Sequence, residues 1–360
     1  MKKIKIITIV GARPQFVKAA ALSPCFAEYE LVEEVLVHTG QHFDENMSDV
    51  FFSEMSIPRP RYNLGIGGGS HGQNTGRMIE AIESVLQVER PDAVLVFGDT
   101  DSTLAAAIAT SKMLIPLAHV EAGLRSYRRD MPEEVNRVVV DHLADFLYTP
   151  STSAVENLGR EGISRNKIFA VGDVMYDVVK KFTKLAEATS GILNKLSLNK
   201  QDYFLMTLHR KENTDSKEKL MKIFEGISSS PIQIIFPIHP RTIKRISEFD
   251  LKIPECVRVV EPLGYLDTLC LESSSKSILT DSGGVQKEAY FHGVPCITLR
   301  DETEWTELVD IGANVLVGAD VHRIRDEINR DSLRIFPPDV YGDGTAAEKI
   351  SLHLIAKLSR

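Results

Sequence analysis

Short β-branched runs recur along the first half of the chain at Ile4–Val10, Val35–Thr39, Ala93–Phe97, Leu117–Val120 and Phe146–Thr149. Stretches with helical spacing of apolar residues, such as Arg77–Val88 and Ser102–Met113, lie between them. This alternation predicts a mostly parallel sheet wrapped by helices, because successive parallel strands need crossover connections. The pattern restarts at Tyr203–Leu208 and continues through Gln233–Ile238, Val257–Val260, Ser277–Thr280, Pro295–Thr298 and Asn314–Val317. Two doubly wound α/β units in tandem follow. From about Ala186 to Gln201 the chain turns polar and small with no strand signal, so the boundary is expected within residues 165–200. We draw it at 169/170, which gives an N-terminal unit over 1–169 and a second over 170–343. Gly344–Leu358, after a Gly-Asp-Gly turn, reads as a terminal helix. Ligands of open α/β sheets sit beyond the carboxyl ends of the strands, so two such sheets facing a cleft would place their chemistry on the residues just after each strand.

Composition narrows the function classes. At 360 residues, 43% apolar and 26% charged, the chain has the profile of a globular protein with large cores. Fifty acidic against 42 basic residues, net −8, argue against nucleic acid as a partner, while a small anion in a local pocket stays compatible. No apolar run is long enough to cross a bilayer, so no membrane partner is expected. Cys25, Cys256, Cys270 and Cys296 form no CxxC pair or zinc spacing and read as reduced packing residues; no metal and no cofactor are expected. Met-Lys-Lys precedes a short strand and a Gly-Ala-Arg-Pro turn, with no signal-peptide h-region, and a cytoplasmic location is expected.

The candidate chemistry of the first unit gathers behind its strands. Gly11 offers a tight turn, Pro14 a helix start, and Arg13 and Lys18 two cations near a helix N-terminus. That suits an anion, and equally reads as solvated helix charge. Asp99 follows the third strand, where Thr100 or Asp101 can cap the next helix, and Glu121 ends the strand after it. Glu133 and Glu134 open a helix after Pro132, where the dipole alone favours acids. Three such carboxylates in one unit, Asp99, Glu121 and Glu133, point to general acid/base work more strongly than any one of them does.

In the second unit His209 and Arg210 follow the restarting strand, and His239 and Arg241 the next. Two such histidines beside arginines describe a polar site, although a histidine at a strand end is often only a hydrogen-bonded structural residue. The best single signal is TDSGGVQKEA over 280–289. Ser282, Gly283 and Gly284 can bring bare amides to a diphosphate at a helix start, and Glu288 one turn on can accept from ribose hydroxyls. The run Gly67–Gly72 matches GxGxxG but follows a Pro-rich turn, so NAD is not supported. P-loop, GxSxG and HExxH patterns are missing from the sequence.

Together these residues resemble the non-hydrolysing UDP-N-acetylglucosamine 2-epimerases, whose fold is glycosyltransferase-B-like with two Rossmann-like domains. The resemblance rests on nine segments in order: GARPQFVK (11–18), HTGQH (38–42), GDTDST (98–103), HVEAGLRS (119–126), MPEEVNR (131–137), TLHRKEN (207–213), PIHPR (237–241), EPLGY (261–265) and TDSGGVQKEA (280–289). It implies that Asp99, Glu121 and Glu133 are acid/base carboxylates and that His209 is an active-site histidine beside the nucleotide. It places Arg13, Ser282, Gly283 and Gly284 at the diphosphate and Glu288 on the ribose, with Lys18 and Arg137 also at the substrate. Gln41, His42, Arg210 and His239 match positions that hold a second, activating UDP-sugar in some bacterial members. The C-terminal segment would cross back to the first domain. A homodimer acting in polysaccharide biosynthesis is implied as well. Gln15, Lys287 and the Thr303-Glu-Trp305 segment resemble the subgroup that epimerises UDP-2,3-diacetamido-2,3-dideoxy-glucuronic acid, and the substrate is left between that sugar and UDP-N-acetylglucosamine (UDP-GlcNAc).

The chemistry explains why several acids are needed. The C2 hydrogen of a closed-ring acetamido sugar has no adjacent carbonyl, so UDP leaving C1 must serve as the electron sink. Inverting C2 through a 2-acetamidoglycal then requires proton carriers on both faces. A glycosyltransferase of this architecture, a hydrolysing epimerase or a non-catalytic UDP-sugar sensor would use the same nucleotide pocket. The transferase and the sensor give no reason for three acids.

Overall fold

A computed structural model describes residues 3–41, 57–330 and 336–359. The chain divides into two compact units, one of residues 1–178 and 338–360 and one of residues 179–337.

The first unit carries β1 (Ile4–Val10), β2 (Val32–His38), β3 (Tyr62–Asn63), β4 (Ala93–Phe97), β5 (Leu117–Val120), β6 (Phe146–Thr149) and β7 (Ile168–Ala170). They form one sheet in the order β3-β2-β1-β4-β5-β6-β7, and every pairing is parallel. All five residues of β4 are buried, as a strand covered by helices on both faces requires. The helix Asp101–Lys112 presents Ala105, Ala106 and Ala109 to Val94, Val96 and Ile9, and these small side chains let it lie close on the sheet. β2 and β4 flank β1, so the strand order reverses beside β1 and opens a switch-point crevice beyond Val10 and Phe97.

The second unit repeats the plan with β8 (Tyr203–Thr207), β9 (Gln233–Pro237), β10 (Val257–Val260), β11 (Ser277–Thr280), β12 (Cys296–Thr298) and β13 (Asn314–Leu316), again all parallel. Their order, β10-β9-β8-β11-β12-β13, puts the second switch point between β8 and β11. Phe204, Met206, Phe236, Leu279 and Ile297 from the sheet pack with Ile223 and Phe224 into one core.

The division falls inside the helix Val174–Thr189, beyond the expected 169/170 boundary. Asp177 explains why the start of this helix stays with the first unit, since its carboxylate accepts from the amides of Ala346 (3.1 Å) and Ala347 (2.9 Å). It thereby caps the terminal helix Ala346–Leu358, whose His353 accepts or donates at Tyr148 Oη (2.9 Å) and lies against Phe169. The polar stretch read as a linker contains a further short helix, Ile192–Leu196. No described helix is long and apolar enough to cross a membrane.

Candidate active site

At the first switch point the backbone is packed to the limit. A Cβ on Gly11 would stand 2.1 Å from Ser102 Oγ and 2.2 Å from Thr39 Oγ1, so only glycine fits. Buried Gln15 ties the two strand-end turns together: its Oε1 accepts from the Gly11 and Ala12 amides, and its Nε2 donates to Phe97 O at 2.8 Å and to Thr103 Oγ1 at 2.9 Å. The backbone of Arg13 opens the helix Arg13–Ala27, and its side chain lies outside the described residues. Lys18, buried on that helix, is ion-paired with Glu121 at the end of β5. Glu121 holds φ = +71°, a left-handed conformation that costs a non-glycine residue about 1 kcal/mol or more. A side-chain carbon at Gly98 would fall 3.3 Å from Glu121 Oε2 and 3.5 Å from Lys18 Nζ, so this pair sits directly over the turn that carries Asp99.

Asp99 Oδ2 accepts two bonds from Arg137, from Nε at 2.9 Å and from an Nη at 2.7 Å. The other arm of Arg137 donates to Glu134 at 2.8 Å. Burial works against the Arg137 charge, but Asp99, Glu134 and Glu121 outweigh it and hold its pKa above the ordinary value. Asp99, Glu121, Lys18 and Arg137 therefore form one cluster. Glu133 is exposed at the start of the helix Pro132–Leu143, and among the described residues no hydrogen bond or ion pair fixes it. Its neighbour Glu134 is buried and takes the structural bonds; the two acids look alike in sequence and differ by one helical step in direction. Asp101 is engaged by His71 Nδ1 at 2.8 Å, and Thr100 caps the helix Asp101–Lys112.

Beneath this cluster lies a network that strand-end reasoning missed. His119, fully buried on β5, has Nδ1 2.7 Å from Asp141 and Nε2 2.8 Å from the carbonyl oxygen of Gly98. Both ring nitrogens thus lie against oxygens. Asp141 also accepts from Arg125 (2.7 Å) and from the Gly123 amide (3.0 Å). Burial pushes its carboxyl up, and the His119 and Arg125 charges bring the net shift down. The signal was present in HVEAGLRS, where His119 and Arg125 flank Glu121, but Asp141 is a helix residue with nothing local to mark it.

At the second switch point Asp281 is the organiser. Fully buried after β11, it accepts from the amides of His209 (3.1 Å) and Arg210 (3.0 Å) and from Asn213 Nδ2 (3.2 Å). This fixes the turn that presents His209, whose half-exposed ring stands 3.5 Å from the same carboxylate. Ser282 caps the helix Gly283–Phe291 through its backbone alone, so its hydroxyl and the first amides of the helix are not used by a side-chain cap. An added Cβ on Gly284 would meet nothing nearer than Ser282 Oγ at 3.9 Å. Glu288, half-buried, lies one turn into the helix. Gly283 is closed off differently: its Cβ would lie 2.4 Å from Glu304 Oε1, and its carbonyl accepts from Trp305 Nε1 at 2.9 Å. Lys287 packs over the Trp305 ring at 4.2 Å. Arg300 donates to Glu304 at 2.8 Å, and Arg210 stands 3.9 Å away. A cavity of about 200 Å³ adjoins this edge, lined by His209, His239, Pro262, Leu263 and Val285 among others.

The four positions matched to an activator are placed as follows. Gln41 Oε1 accepts from Ser102 N (3.0 Å) and Ser102 Oγ (2.6 Å), and His239 caps the helix Pro240–Glu248 by accepting from Arg241 N at 3.2 Å. Arg210 faces Glu304, and His42 lies outside the described residues.

Both clusters therefore sit at the carboxyl edge of a parallel sheet, at its switch point, with acids and cations on one unit and bare helix-start amides on the other. The family model of UDP-N-acetylglucosamine 2-epimerase matches residues 26–355 of this chain. The chain belongs to the UDP-N-acetylglucosamine 2-epimerase family. It is 51% identical over 332 residues to a UDP-N-acetylglucosamine 2-epimerase homolog of Methanococcus maripaludis, covering 91% of this chain and 92% of that one. It is 47% identical over 362 residues to the UDP-2,3-diacetamido-2,3-dideoxy-D-glucuronate 2-epimerase of Pseudomonas aeruginosa, covering 99% of this chain and all of that one. The crystal structure of the Methanocaldococcus jannaschii UDP-GlcNAc 2-epimerase in complex with UDP-GlcNAc and UDP superposes with a TM-score of 0.86 at 45% identity, over 98% of this chain and 100% of that one. The epimerase family thus has the two-sheet α/β architecture expected from the strand pattern, with the glycosyltransferase-B-like fold of its solved members.

Proposed function

We propose that this epimerase inverts C2 of a UDP-N-acetylhexosamine, interconverting UDP-GlcNAc and its C2 epimer. The observation that carries the proposal is the pair of carboxylates Asp99 and Glu121, each held by a cation at the switch point of the first sheet. A transferase or a UDP-sugar sensor has no use for them. In this reading a carboxylate takes the C2 proton while the C1–O bond breaks and UDP leaves with the electron pair, giving a 2-acetamidoglycal. A second acid then delivers a proton to the opposite face of C2 as UDP re-adds at C1. Asp99, Glu121 and Glu133 are the proton carriers, and Lys18 and Arg137 hold two of them in place. Ser282, Gly283 and Gly284, with Arg13, stabilise the charge that grows on the diphosphate. Glu288 holds the ribose, His209 stands beside the nucleotide, and the cavity next to His209 and Val285 takes the base.

Turnover of UDP-GlcNAc in D₂O, read by NMR, tests this. Deuterium at C2 of the product is expected, and unlabelled product overturns the glycal route. UDP-GlcNAc left unepimerised overturns the headline substrate. The 47% identity to the P. aeruginosa enzyme favours a second reading, in which the sugar is the diacetamido uronate, and turnover of that sugar alone would establish it. A cytoplasmic homodimer completes the proposal, with an activating UDP-sugar at Gln41, His42, Arg210 and His239. Light scattering and the dependence of rate on added UDP-GlcNAc check these two points.

A further inference from the structure

We propose that Glu134 is a positioning residue for the epimerisation: its buried carboxylate locks Arg137 onto Asp99 and fixes the turn at Ser126 and Tyr127. This rests on the reading above, in which Asp99 is a proton carrier. The geometry has three parts. Glu134 is 3% exposed and receives four donors: Tyr127 N at 2.9 Å on Oε1, and Ser126 N at 2.9 Å, Ser126 Oγ at 3.0 Å and Arg137 Nη1 at 2.8 Å on Oε2. Three of these donors converge on Oε2 and one on Oε1, and a carboxylate accepts at both oxygens. An acid that served only the helix dipole would face solvent and take none of them.

Arg137 is held at both ends, so its planar guanidinium has no free rotation. Its Nε and Nη2 both donate to Asp99 Oδ2, which leaves Oδ1 unengaged among the described residues. With Oδ2 doubly bonded, Oδ1 is the oxygen of Asp99 left for the proton in the reading above. Finally, Tyr127 holds φ = +59°, and its amide is one of the four donors, so the strained turn leading from Glu121 toward the helix Pro132–Leu143 is held by the same carboxylate. Glutamine keeps the shape of Glu134 but turns one acceptor into a donor, which must then face an N–H of Ser126, Tyr127 or Arg137.

The test is a coupling cycle of Glu134→Gln, Arg137→Lys and the double variant, with Ser126→Ala as the milder probe. For Glu134→Gln, kcat falls roughly 30- to 100-fold while KM for UDP-GlcNAc stays within about threefold, since a displacement of about 1 Å at a reacting group costs on that order. The double variant loses no more than the worse single variant, because both changes break one chain of contacts. Ser126→Ala loses about two- to fivefold in kcat by the same mechanism. Amide hydrogen exchange at Ser126 and Tyr127 is expected to speed up in Glu134→Gln and to stay slow in Arg137→Lys. A wild-type kcat in Glu134→Gln, losses that multiply in the double variant, or unchanged exchange at these amides would overturn the inference. A wild-type enzyme with no turnover on either sugar overturns the function proposed above instead, and the exchange measurement still decides whether Glu134 holds the turn.

Discussion

Replacing Glu272 by glutamine should stabilise the second unit at neutral pH by an amount that the structure sets. Glu272, on the helix Tyr265–Ser274, is fully buried, and neither of its oxygens has a hydrogen-bond partner among the described residues. His292 Nε2 stands 3.6 Å from one of them. Burial pushes the Glu272 carboxyl up to about 8 and the His292 imidazole down to about 4, so near neutrality the pair is an uncharged acid beside an uncharged base. In the unfolded chain the same carboxyl titrates near 4.5. At pH 7 unfolding therefore releases a proton, and the linkage opposes folding by about 1.36 kcal/mol for each of roughly 2.5 pH units, about 3 kcal/mol. The sign follows from the raised folded value: stability is fully present below about 4.5 and is lost as pH climbs toward 8. Glutamine cannot ionise, and its amide can donate to His292, so Glu272→Gln should gain about 2–3 kcal/mol at pH 7 and almost nothing at pH 4.5. For a unit of this size that is a rise in Tm of roughly 5–10 °C. Urea unfolding followed by the fluorescence of Trp305, the single tryptophan, reads this unit directly. His292 contributes the opposite slope, losing stability as pH falls through about 4, and in the variant that slope should stand uncovered. A variant–wild-type difference that is flat across pH 4.5–8, or a loss of more than about 1 kcal/mol at pH 7, would refute the reasoning.

Four further outcomes are expected. Gly123 has φ = +84° and would bring a Cβ to 2.4 Å from the backbone oxygen of Ala154, so Gly123→Ala should cost about 3 kcal/mol or more in denaturant unfolding and abolish turnover by displacing Glu121. Because Trp305 donates to the carbonyl of Gly283, titration with UDP should change its emission. Glu304→Gln, which removes a negative charge from beside Gly283, should tighten the UDP Kd by about three- to tenfold, and an unchanged or weaker Kd would place the diphosphate elsewhere. The bond from Lys5, then that from Tyr62, brings the Glu89 carboxyl down to about 2. Its stabilisation is present above about 4.5 and lost as pH falls toward 2, so Glu89→Gln should cost about 1–2 kcal/mol at pH 7 and nothing near pH 2, read by circular dichroism in urea.

The strand pattern carried most of the fold because buried parallel strands are written as continuous apolar runs, and β1, β4, β5 and β6 begin and end where those runs do. What it missed follows from length. β3 and β7, at two and three residues, are too short to show a period, and they exist because a neighbouring strand offers an edge. The interior of the Val174–Thr189 helix, where the two units divide, has no compositional mark, since the helix runs unbroken through it.

The candidate site was legible to the same depth and for a related reason. Residues placed directly after strands, such as Asp99, Glu121, His209 and Ser282, are found by topology alone, because an open parallel sheet sends all its strand ends to one edge. The residues that organise them are not found that way. Glu134, Asp141 and Arg137 lie on the helix Pro132–Leu143, where acid and base are ordinary surface residues and direction is fixed only once the helix has docked. Gln15 and Asp281 look like bystanders within longer motifs, yet they satisfy the backbone donors of turns that must stay buried. Sequence position thus identifies which side chains reach a site edge, while the burial and donor count of their neighbours decide which of those side chains are held still. For the two proton transfers proposed at C2, holding the acids still is the harder requirement, and the burial of Glu134 and Asp141 is what supplies it in that reading.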